Sequence, residues 1–313
     1  MPPTLSQNIK TEAYAMGFSK VGIASSEVLT EEGAHLFEWL QRNFQASMHW
    51  MERNQEKRID PKQLLPGVKS ILCVALHYYT SVQHEQDPSI GKISRYAWGD
   101  DYHVVMKERL EKLFDYIQLV IPGVKGMIYV DTGPVMDKVW ATRAGIGWMG
   151  KHTNIISREF GSWLFLGEIL LDVELEYDTS SVDHCGACTA CIDACPTKAI
   201  VQPYVVDSNK CISYLTIEHR GEFPTNISKN FSNWIYGCDI CQEVCPWNRI
   251  QKETTVAAFQ PRVENVAPNV ADLVTMNQKE FSKRFYNSAV KRAKLSGLTR
   301  NAKAVLESQP TSK

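Results

Sequence analysis

The sequence lacks any apolar run long enough to cross a membrane. Its longest such runs, residues 70–76 and 163–171, are far shorter than the ~20 residues that a spanning helix needs. The start of the chain has no continuous apolar core behind a basic stretch, which a secretory signal requires. We therefore expect a cytoplasmic protein without membrane contact. Its 44% hydrophobic and 22% charged residues exclude disordered, collagen-like and low-complexity chains.

Net charge is also nearly absent, since 34 Lys and Arg oppose 35 Asp and Glu. This balance argues against a wholly basic nucleic-acid-binding protein. The charge is nonetheless uneven, because residues 276–313 carry nine Lys and Arg against two acids. Such a segment is typical of a surface that meets an anion, commonly a nucleic acid, and also of a solvated helix face. Charge alone leaves both interpretations open.

Cysteine, in contrast, is abundant and clustered. In a chain without an export signal, clustered thiols are more often metal ligands than disulfides. The first cluster follows the spacing C-x2-C-x2-C-x3-C-P, which bacterial ferredoxins use to bind 4Fe–4S clusters. In proteins with two such clusters, the fourth cysteine of the run binds the other cluster. The run consists of Cys185, Cys188, Cys191 and Cys195, followed by Pro196.

A second set of cysteines repeats the C-x2-C-x3-C-P ending, with its leading cysteine displaced upstream to Cys211. The alternative is a pair of zinc sites, although zinc ribbons rarely pack three cysteines at x2 spacing before x3-C-P. The ninth cysteine, Cys73, lies in an apolar β-type run, and we expect a buried, inert thiol there. The crossed assignment places Cys185, Cys188, Cys191 and Cys245 on one cluster, and Cys195, Cys211, Cys238 and Cys241 on the other.

Outside the cysteines, helical and strand patterns alternate irregularly. Because they do not form strict βαβ units, we predict an α+β fold, with residues 80–92 as a surface loop. The predicted helices cover residues 5–16, 30–43 and 134–144, together with one capped by Asp100 and Asp101; the predicted strands cover residues 20–24, 70–79, 126–130, 154–157 and 162–171.

Gly145, Gly147 and Gly150 match the G-x-G-x-x-G spacing of dinucleotide-binding proteins. That motif should follow a strand and open a helix, whereas here a predicted helix precedes it and β-type residues follow. We therefore reject the dinucleotide interpretation. The glycines instead let the backbone lie close to a flat ligand or another strand, with Lys151 as a positive charge at the rim.

Asp131 follows a predicted strand and precedes a helix, so it is either a turn or capping carboxylate or a general acid in a pocket. An aromatic patch precedes it in the chain, which predicts either core packing or the wall of a planar cofactor site. The patch lacks the glycine of the D-x-H-x-x-G corrinoid motif, so spacing gives no direct corrinoid signature. Its members are Tyr96, Trp98, Tyr102 and His103.

An ordered set of motifs, spread from about residue 5 to residue 302, resembles the epoxyqueuosine reductase family. The cluster motifs alone occur in many proteins, but the ordered set is specific. Besides the two cysteine motifs, it comprises Lys57-Arg58-x-x-Pro61, Tyr96-Ala-Trp-Gly-x-Asp101-Tyr-His, Val130-Asp131-Thr-Gly-Pro, Ala144-Gly-Ile-Gly-Trp-x-Gly-Lys151 and Gly161-Ser-Trp-x-Phe-Leu-Gly-Glu168.

The resemblance implies reduction of epoxyqueuosine to queuosine at the wobble position of tRNA, with cobalamin and two 4Fe–4S clusters as cofactors. It implies a mixed α/β cobalamin-binding catalytic domain at residues 1–178, a ferredoxin-like two-cluster domain at 179–255 and a short basic helical tail at 256–313 that contacts tRNA. Asp131 would be the proton donor. The implied cobalamin contacts are Arg58, Ser94, Asp131, Ile155, Leu166, Ser213, Cys238 and Asp239.

The same resemblance implies a flavodoxin-like or ferredoxin-like electron donor, and we expect a monomer. Many family members continue into a helical-repeat domain that helps to hold tRNA. This sequence ends about a dozen residues after the last motif, so we expect RNA binding to be weaker or differently distributed. The implied tRNA contacts are Asn277, Gln278, Lys291, Arg292 and Arg300.

Two alternatives remain at the level of sequence. A corrinoid reductive dehalogenase also pairs cobalamin with two 4Fe–4S clusters, but it typically carries a twin-arginine leader and uses a tyrosine as proton donor. A non-catalytic electron-transfer module would leave Asp131 and the glycine and aromatic residues without a role, and it would bind no corrinoid.

Overall fold

A computed structural model of the protein describes residues 2–249 and 251–308. Each of the three predicted segments therefore includes residues outside this description: residue 1 in segment 1–178, residue 250 in segment 179–255, and residues 309–313 in segment 256–313. A four-stranded sheet in the order β1-β2-β7-β4 forms the N-terminal half, and every neighbouring pair is antiparallel. The absence of parallel βαβ pairing in this sheet agrees with the α+β prediction. None of the described helices is long and apolar enough to cross a membrane.

The helices and strands lie close to most of the predicted positions. The helices are α1 Leu5–Ala15, α2 Thr30–Gln41, α3 Gln55–Ile59, α4 Tyr102–Val120, α5 Asp137–Arg143, α6 Ala190–Asp193, α7 Ile212–Ile217, α8 Ile240–Glu243, α9 Val263–Val266, α10 Val270–Thr275, α11 Gln278–Arg284 and α12 Lys294–Ser308. The strands are β1 Lys20–Ser25, β2 Ser70–His77, β3 Lys92–Ile93, β4 Gly126–Tyr129, β5 Trp148–Met149, β6 Ile155–Ile156, β7 Leu164–Leu171, β8 Ile200–Gln202, β9 Val205–Val206 and β10 Trp234–Tyr236.

The central strands β2 and β7 are covered on both faces, which explains their nearly continuous apolar sequences. Side chains alternate between the two faces of a strand. Leu72 and Val74 of β2 therefore pack with α1 and α4, whereas Ile71 and Cys73 pack with α5. Cys73 is 1% exposed, so the prediction of a buried thiol is confirmed.

Helix α5, which follows the Asp131 loop, begins later than predicted. We expected Pro134 to open a helix, but α5 begins at Asp137 and Met136 is its N-cap. Residues 131–136 instead form a loop in which Asp131 adopts a positive φ of 46°. A non-glycine residue in this conformation is strained, so α5 cannot begin until the chain has turned.

The C-terminal segment is not a separate basic tail, contrary to our expectation for residues 256–313. Its helices share one hydrophobic core with α7, β10 and the turn at Arg95–Ala97. In α12, Leu298, Ala302 and Val305 are fully buried, while the basic residues lie on other faces of the helix. The charge count detected only the polar face of an amphipathic segment.

The repeated cysteine motif produces a repeated local structure. The four-residue helices α6 and α8 contain Cys191 and Cys241, and each helix ends before a Cys-Pro pair. Proline disfavours helix at the preceding residue, which limits both helices to one turn. The two helices pack against each other, so the repeats that are far apart in sequence meet in space.

Candidate active site

Asp131 lies on the loop after β4, with its side chain half exposed, and both of its carboxylate oxygens accept hydrogen bonds. Tyr102 donates its hydroxyl to Oδ2, and His103 Nε2 lies 2.9 Å from Oδ1. Asp101 is the N-cap of α4, where it accepts the backbone N–H of His103 and holds its Nδ1 at 2.7 Å. The helix cap therefore also orients the residues that contact Asp131.

His103 is a cation at neutral pH because it lies between two carboxylates. Burial alone would lower the pKa of its ring, but hydrogen bonds to Asp101 and Asp131 outweigh burial and raise the pKa to about 9. Sequence reasoning placed Tyr102 and His103 in an aromatic patch and missed these bonds. The D-Y-H sequence at the helix start was the available signal, since an N-cap aspartate places the next two residues at one helix end.

Lys138 has both the Asp131 loop and two cysteines of the second set within the range of its charge. Its ammonium is within electrostatic range of Asp131 and Asp137 and also of Cys211 and Cys241. Desolvation lowers the pKa of its amine. We call the region bordered by Asp131, Lys138 and these two cysteines the recess.

The residues expected to contact cobalamin lie in two regions around this recess. Ile155 on β6 and Leu166 on β7 pack against the same core cluster. Ser94 donates its hydroxyl to the buried carboxylate of Asp239, which also accepts the backbone N–H of Arg95 at 2.8 Å. Cys238 precedes Asp239, and Ser213 is half-buried on α7.

Arg58 tests whether the recess suits a corrinoid. Its guanidinium donates to the carbonyl of Trp50 at 3.1 Å, while its buried Nε has no hydrogen-bond partner among the described residues. A buried, unpaired cationic donor is costly unless a ligand supplies an acceptor. The amide and phosphate oxygens of a cobalamin are acceptors of this kind, so Arg58 fits the group that the sequence implied.

The eight clustered cysteines form two spatial groups. Cys191 lies within electrostatic range of Cys185, Cys188 and Cys245, and the three thiols together with burial raise its pKa to about 11. Burial raises the pKa of the Cys241 thiol, and Cys211, Cys191 and Cys195 are the thiols within its electrostatic range. Cys238 has Cys241 and Cys211 as neighbours. Most of these neighbours belong to the same crossed set, but Cys191 and Cys241 connect the two sets, and the assignment of each cysteine to one cluster stays a prediction.

The two groups differ in their surroundings. Cys188 is exposed, and Lys151 donates to the carbonyl oxygens of Gly186 and Cys188 at 2.6 and 2.9 Å. We predicted Lys151 at the rim of a ligand site, whereas the structure uses it to hold the loop of the first group. In the second group, burial raises the pKa of Cys238 and Cys241. Cys188 is the one exposed thiol of the first group, in which Cys191 and Cys245 are buried, whereas all four thiols of the second group are half-buried.

The glycine motif supports strand packing, as one of our two interpretations predicted. A Cβ atom on Gly147 would lie 2.2 Å from the carbonyl oxygen of Ile156, across the β5–β6 hairpin. Helix α5 precedes the motif and this hairpin follows it. A dinucleotide fingerprint needs the opposite order, so the structure agrees with rejecting it.

Lys291 and Arg292, two of the predicted tRNA contacts, lie near the Asp131 site. Lys291 is exposed and within electrostatic range of Asp101, and Arg292 is within range of Asp131. Arg292 also binds Glu218 through two bonds of 2.7 and 2.9 Å. These two residues therefore border the Asp131 site even though they are distant from it in sequence.

The remaining predicted tRNA contacts also have structural roles in the fold. They are Asn277, Gln278 and Arg300. The Asn277 side chain caps α11, and Gln278 lines a groove of about 840 Å³ that Arg300 also borders. Arg300 donates to the carbonyl oxygens of Leu215, His219 and Gly221, all at 2.9 Å. Because these bonds occupy its guanidinium, Arg300 holds the loop after α7, and its contact with tRNA stays a prediction.

Comparison with known proteins defines the class first. Residues 184–248, which contain all eight clustered cysteines, match the family model described as a 4Fe-4S double cluster binding domain. Together with the arrangement of thiols, this match makes the chain an iron–sulfur protein with a two-cluster domain. Residues 58–132, which end just after Asp131, match the model described as epoxyqueuosine reductase QueG, DUF1730.

Curated relatives then define the family. An epoxyqueuosine reductase from Cellulophaga algicola is 45% identical over 293 residues, which are 94% of this chain and 95% of that protein. One from Synechocystis sp. is 47% identical over 92% of this chain and 100% of its own length. The chain belongs to the epoxyqueuosine reductase family, an assignment that favours our first interpretation over a dehalogenase or an electron-transfer module.

Solved structures extend the similarity to the whole fold. An epoxyqueuosine reductase bound to an epoxyqueuosine-modified tRNA-Tyr stem loop has a TM-score of 0.91 and 31% identity, covering 96% of this chain and 80% of that one. The enzyme from Bacillus subtilis, with its catalytic loop swung out of the active site, has a TM-score of 0.91 and 30% identity, covering 96% and 81% of the respective chains.

Proposed function

We propose that this protein reduces epoxyqueuosine in tRNA to queuosine, with cobalamin and two 4Fe–4S clusters as cofactors and Asp131 as proton donor. The observation that carries the proposal is the position of Lys138, whose ammonium is within electrostatic range of the Asp131 carboxylate and also of Cys211 and Cys241. A site for protons and a source of electrons thus border one recess. Family membership supplies the substrate, since relatives of this name match nearly the whole chain.

Epoxide reduction requires both electrons and protons. Removing the epoxide oxygen as water while forming the alkene consumes two electrons and two protons. A hydride donor alone would open the ring and leave an alcohol. Cobalamin supplies a low-valent metal centre that can open an epoxide at carbon, and the protein must deliver the protons.

Asp131 delivers a proton to the departing epoxide oxygen. Its half-exposed carboxyl reaches the recess, while Tyr102 and His103 fix its orientation from the start of α4. Orientation matters because proton transfer requires heavy atoms within about 3 Å of each other. Protonated His103 holds a proton next to the Asp131 carboxylate, so Asp131 can take up this proton and pass it to the departing oxygen.

Arg58 would hold an oxygen of the cobalamin through its unpaired Nε–H, and Ile155 and Leu166 would offer apolar contact. Ser94, Ser213, Cys238 and Asp239 would hold the cofactor from the side of the second cysteine group.

Two 4Fe–4S clusters would supply the electrons one at a time. Cys185, Cys188, Cys191 and Cys245 would bind the first cluster, and the exposure of Cys188 would make it the entry point for a flavodoxin-type or ferredoxin-type donor. Cys195, Cys211, Cys238 and Cys241 would bind the second cluster, near Lys138.

The tRNA approaches along the C-terminal segment, and the enzyme acts as a cytoplasmic monomer. Lys291 and Arg292 neutralise phosphates beside the recess, which gives affinity without reading sequence. Gln278 and Arg300 continue this surface along the groove that α12 borders, and Asn277 caps α11 next to Gln278. The modified base leaves its stack to reach Asp131.

Anaerobic reconstitution tests the proposal. The protein is loaded with iron, sulfide and cobalamin, reduced, and mixed with epoxyqueuosine-containing tRNA, whose nucleosides are then analysed by mass spectrometry. We expect conversion to a nucleoside lighter by one oxygen atom, dependent on cobalamin. Loss of oxygen without cobalamin, or no conversion with full iron and cobalamin loading, would contradict the proposal.

A further inference from the structure

Two acids near the Asp131 loop, buried Glu168 and half-buried Asp137, are not used by the mechanism described above. Glu168 on β7 is 0% exposed, opposite Cys73 on β2 and Tyr129 on β4. No N–H or O–H group of the described residues donates to either of its oxygens, and Oδ1 of Asp137 is equally without a donor. The two carboxyls are instead within hydrogen-bonding reach of each other.

Two such groups cannot both be ionised. A buried carboxylate without a donor is strongly unfavourable, and two adjacent ones also repel each other. A single proton between them satisfies both, as in other carboxyl pairs that titrate as one unit. Burial, followed by the neighbouring acid in the case of Glu168, raises the pKa of both groups.

The neighbouring charges decide which acid holds the proton. Asp137 has Arg58 and Lys138 within electrostatic range, and both cations favour its ionised form. Glu168 has the thiol of Cys73 as its neighbour on β2 and is repelled by Asp137 and Asp131. The proton therefore resides on Glu168, which donates it to Asp137.

Asp137 is in turn connected to the catalytic loop. Its carboxylate lies within hydrogen-bonding reach of the backbone N–H of Asp131. Asp131 has a φ of 46°, a conformation that persists only when surrounding contacts hold it. The equivalent loop of the Bacillus subtilis relative has been seen swung out of its active site, so that loop has a second position.

We infer that Glu168 and Asp137 form a proton-sharing pair that anchors the Asp131 loop, with protonated Glu168 as donor and Asp137 as acceptor of the Asp131 backbone N–H. The inference rests on the proposed function for its catalytic consequence. Both acids are positioning residues, because they act on the reaction through Asp131. Deprotonation of the pair at alkaline pH, or loss of the Glu168 donor, releases the loop.

Two substitutions of Glu168 distinguish its role as a hydrogen-bond donor from its contribution to packing. Glu168→Gln supplies an amide N–H in place of the acidic proton, so we expect turnover within a few-fold of wild type. Glu168→Leu removes the donor and leaves the Asp137 carboxylate unpaired, so we expect kcat to fall by about 10²-fold, the effect of a misplaced catalytic group. The exposed Glu174→Gln serves as the matched control, with unchanged kcat.

The pH profile distinguishes positioning from structure. In wild type, kcat should fall at alkaline pH as the pair loses its proton, and Glu168→Gln should lack this alkaline limb. Equal losses in the Gln and Leu variants, or the same alkaline limb in wild type and Glu168→Gln, would overturn the inference. Iron content and circular dichroism establish that each variant folds.

Infrared spectroscopy supplies a readout that does not depend on activity. The holoenzyme at neutral pH should show the C=O stretch of a protonated carboxyl, retained in Glu174→Gln and lost in Glu168→Gln. An unchanged band in Glu168→Gln would overturn the shared proton. If wild type fails to reduce epoxyqueuosine while this band behaves as expected, the proposed function fails and the carboxyl pair stands.

Discussion

His103 Nε2 and Asp131 Oδ1 lie 2.9 Å apart, and the second ring nitrogen of His103 is bound by Asp101. The folded protein therefore raises the pKa of His103 to about 9 from an ordinary value of 6.5. A group whose pKa is raised by folding stabilises the protein fully below its unfolded pKa and loses this contribution as the pH rises through its folded pKa.

We therefore expect wild type to melt a few °C above His103→Asn at pH 6, and this difference to shrink as the pH rises past 9. Thermal unfolding of the two holoenzymes under anaerobic conditions measures it. A difference that is the same at pH 6 and pH 10 would show that the ring contributes by packing and not by charge.

Asp131→Asn should leave the iron–sulfur and corrinoid absorbance intact and remove most turnover. A general acid contributes about 10²–10⁴-fold, and an amide cannot replace it. Single-turnover assays on fully loaded enzyme measure the loss, with Asp115→Asn on the exposed side of α4 as control. Activity within a few-fold of wild type would remove Asp131 from the proton-donor role.

The crossed ligand sets predict which cluster each cysteine serves. Cys245→Ser, although in the second motif, should disturb the first cluster, whose other ligands begin at Cys185. Cys195→Ser should disturb the second cluster instead. We expect each variant to retain about four of the eight irons, with different remaining signals in electron paramagnetic resonance. Identical residual spectra would contradict the crossing.

Charge reversal at Lys291 and Arg292 should weaken tRNA binding more at low salt than at high salt. Phosphate contacts release counterions, so removing two of them reduces the dependence of affinity on salt. Binding measured between about 50 and 200 mM salt tests this, with Lys112→Glu on α4 as control. Equal weakening at every salt concentration would indicate a folding defect, since Arg292 also binds Glu218.

Short-range features could be predicted from the sequence. The cysteine spacing is local, so it predicted a two-cluster domain, and residues 184–248 match the model of such a domain. Asp131 was predictable as a candidate because a strand precedes it and a helix follows. The Asp137–Glu168 pair was not predictable, because it depends on how α5 packs against β7, two elements separated by a hairpin.

The charge of the C-terminal segment was predicted correctly, but its place in the fold was not. A count of Lys and Arg registers only what a helix exposes. The buried positions Leu298, Ala302 and Val305 in α12 follow helical spacing, and this pattern was the signal that the segment belongs to a core.

Because α12 packs on β10, and β10 leads directly to Cys238, the surface expected to receive RNA and a predicted ligand of the second cluster share one hydrophobic core. Shortening the chain before α12 would uncover Trp234 and Tyr236 beside that cysteine. Such a truncation would damage electron delivery together with substrate affinity, so the two properties cannot be separated by deletion, only by point substitution at the surface.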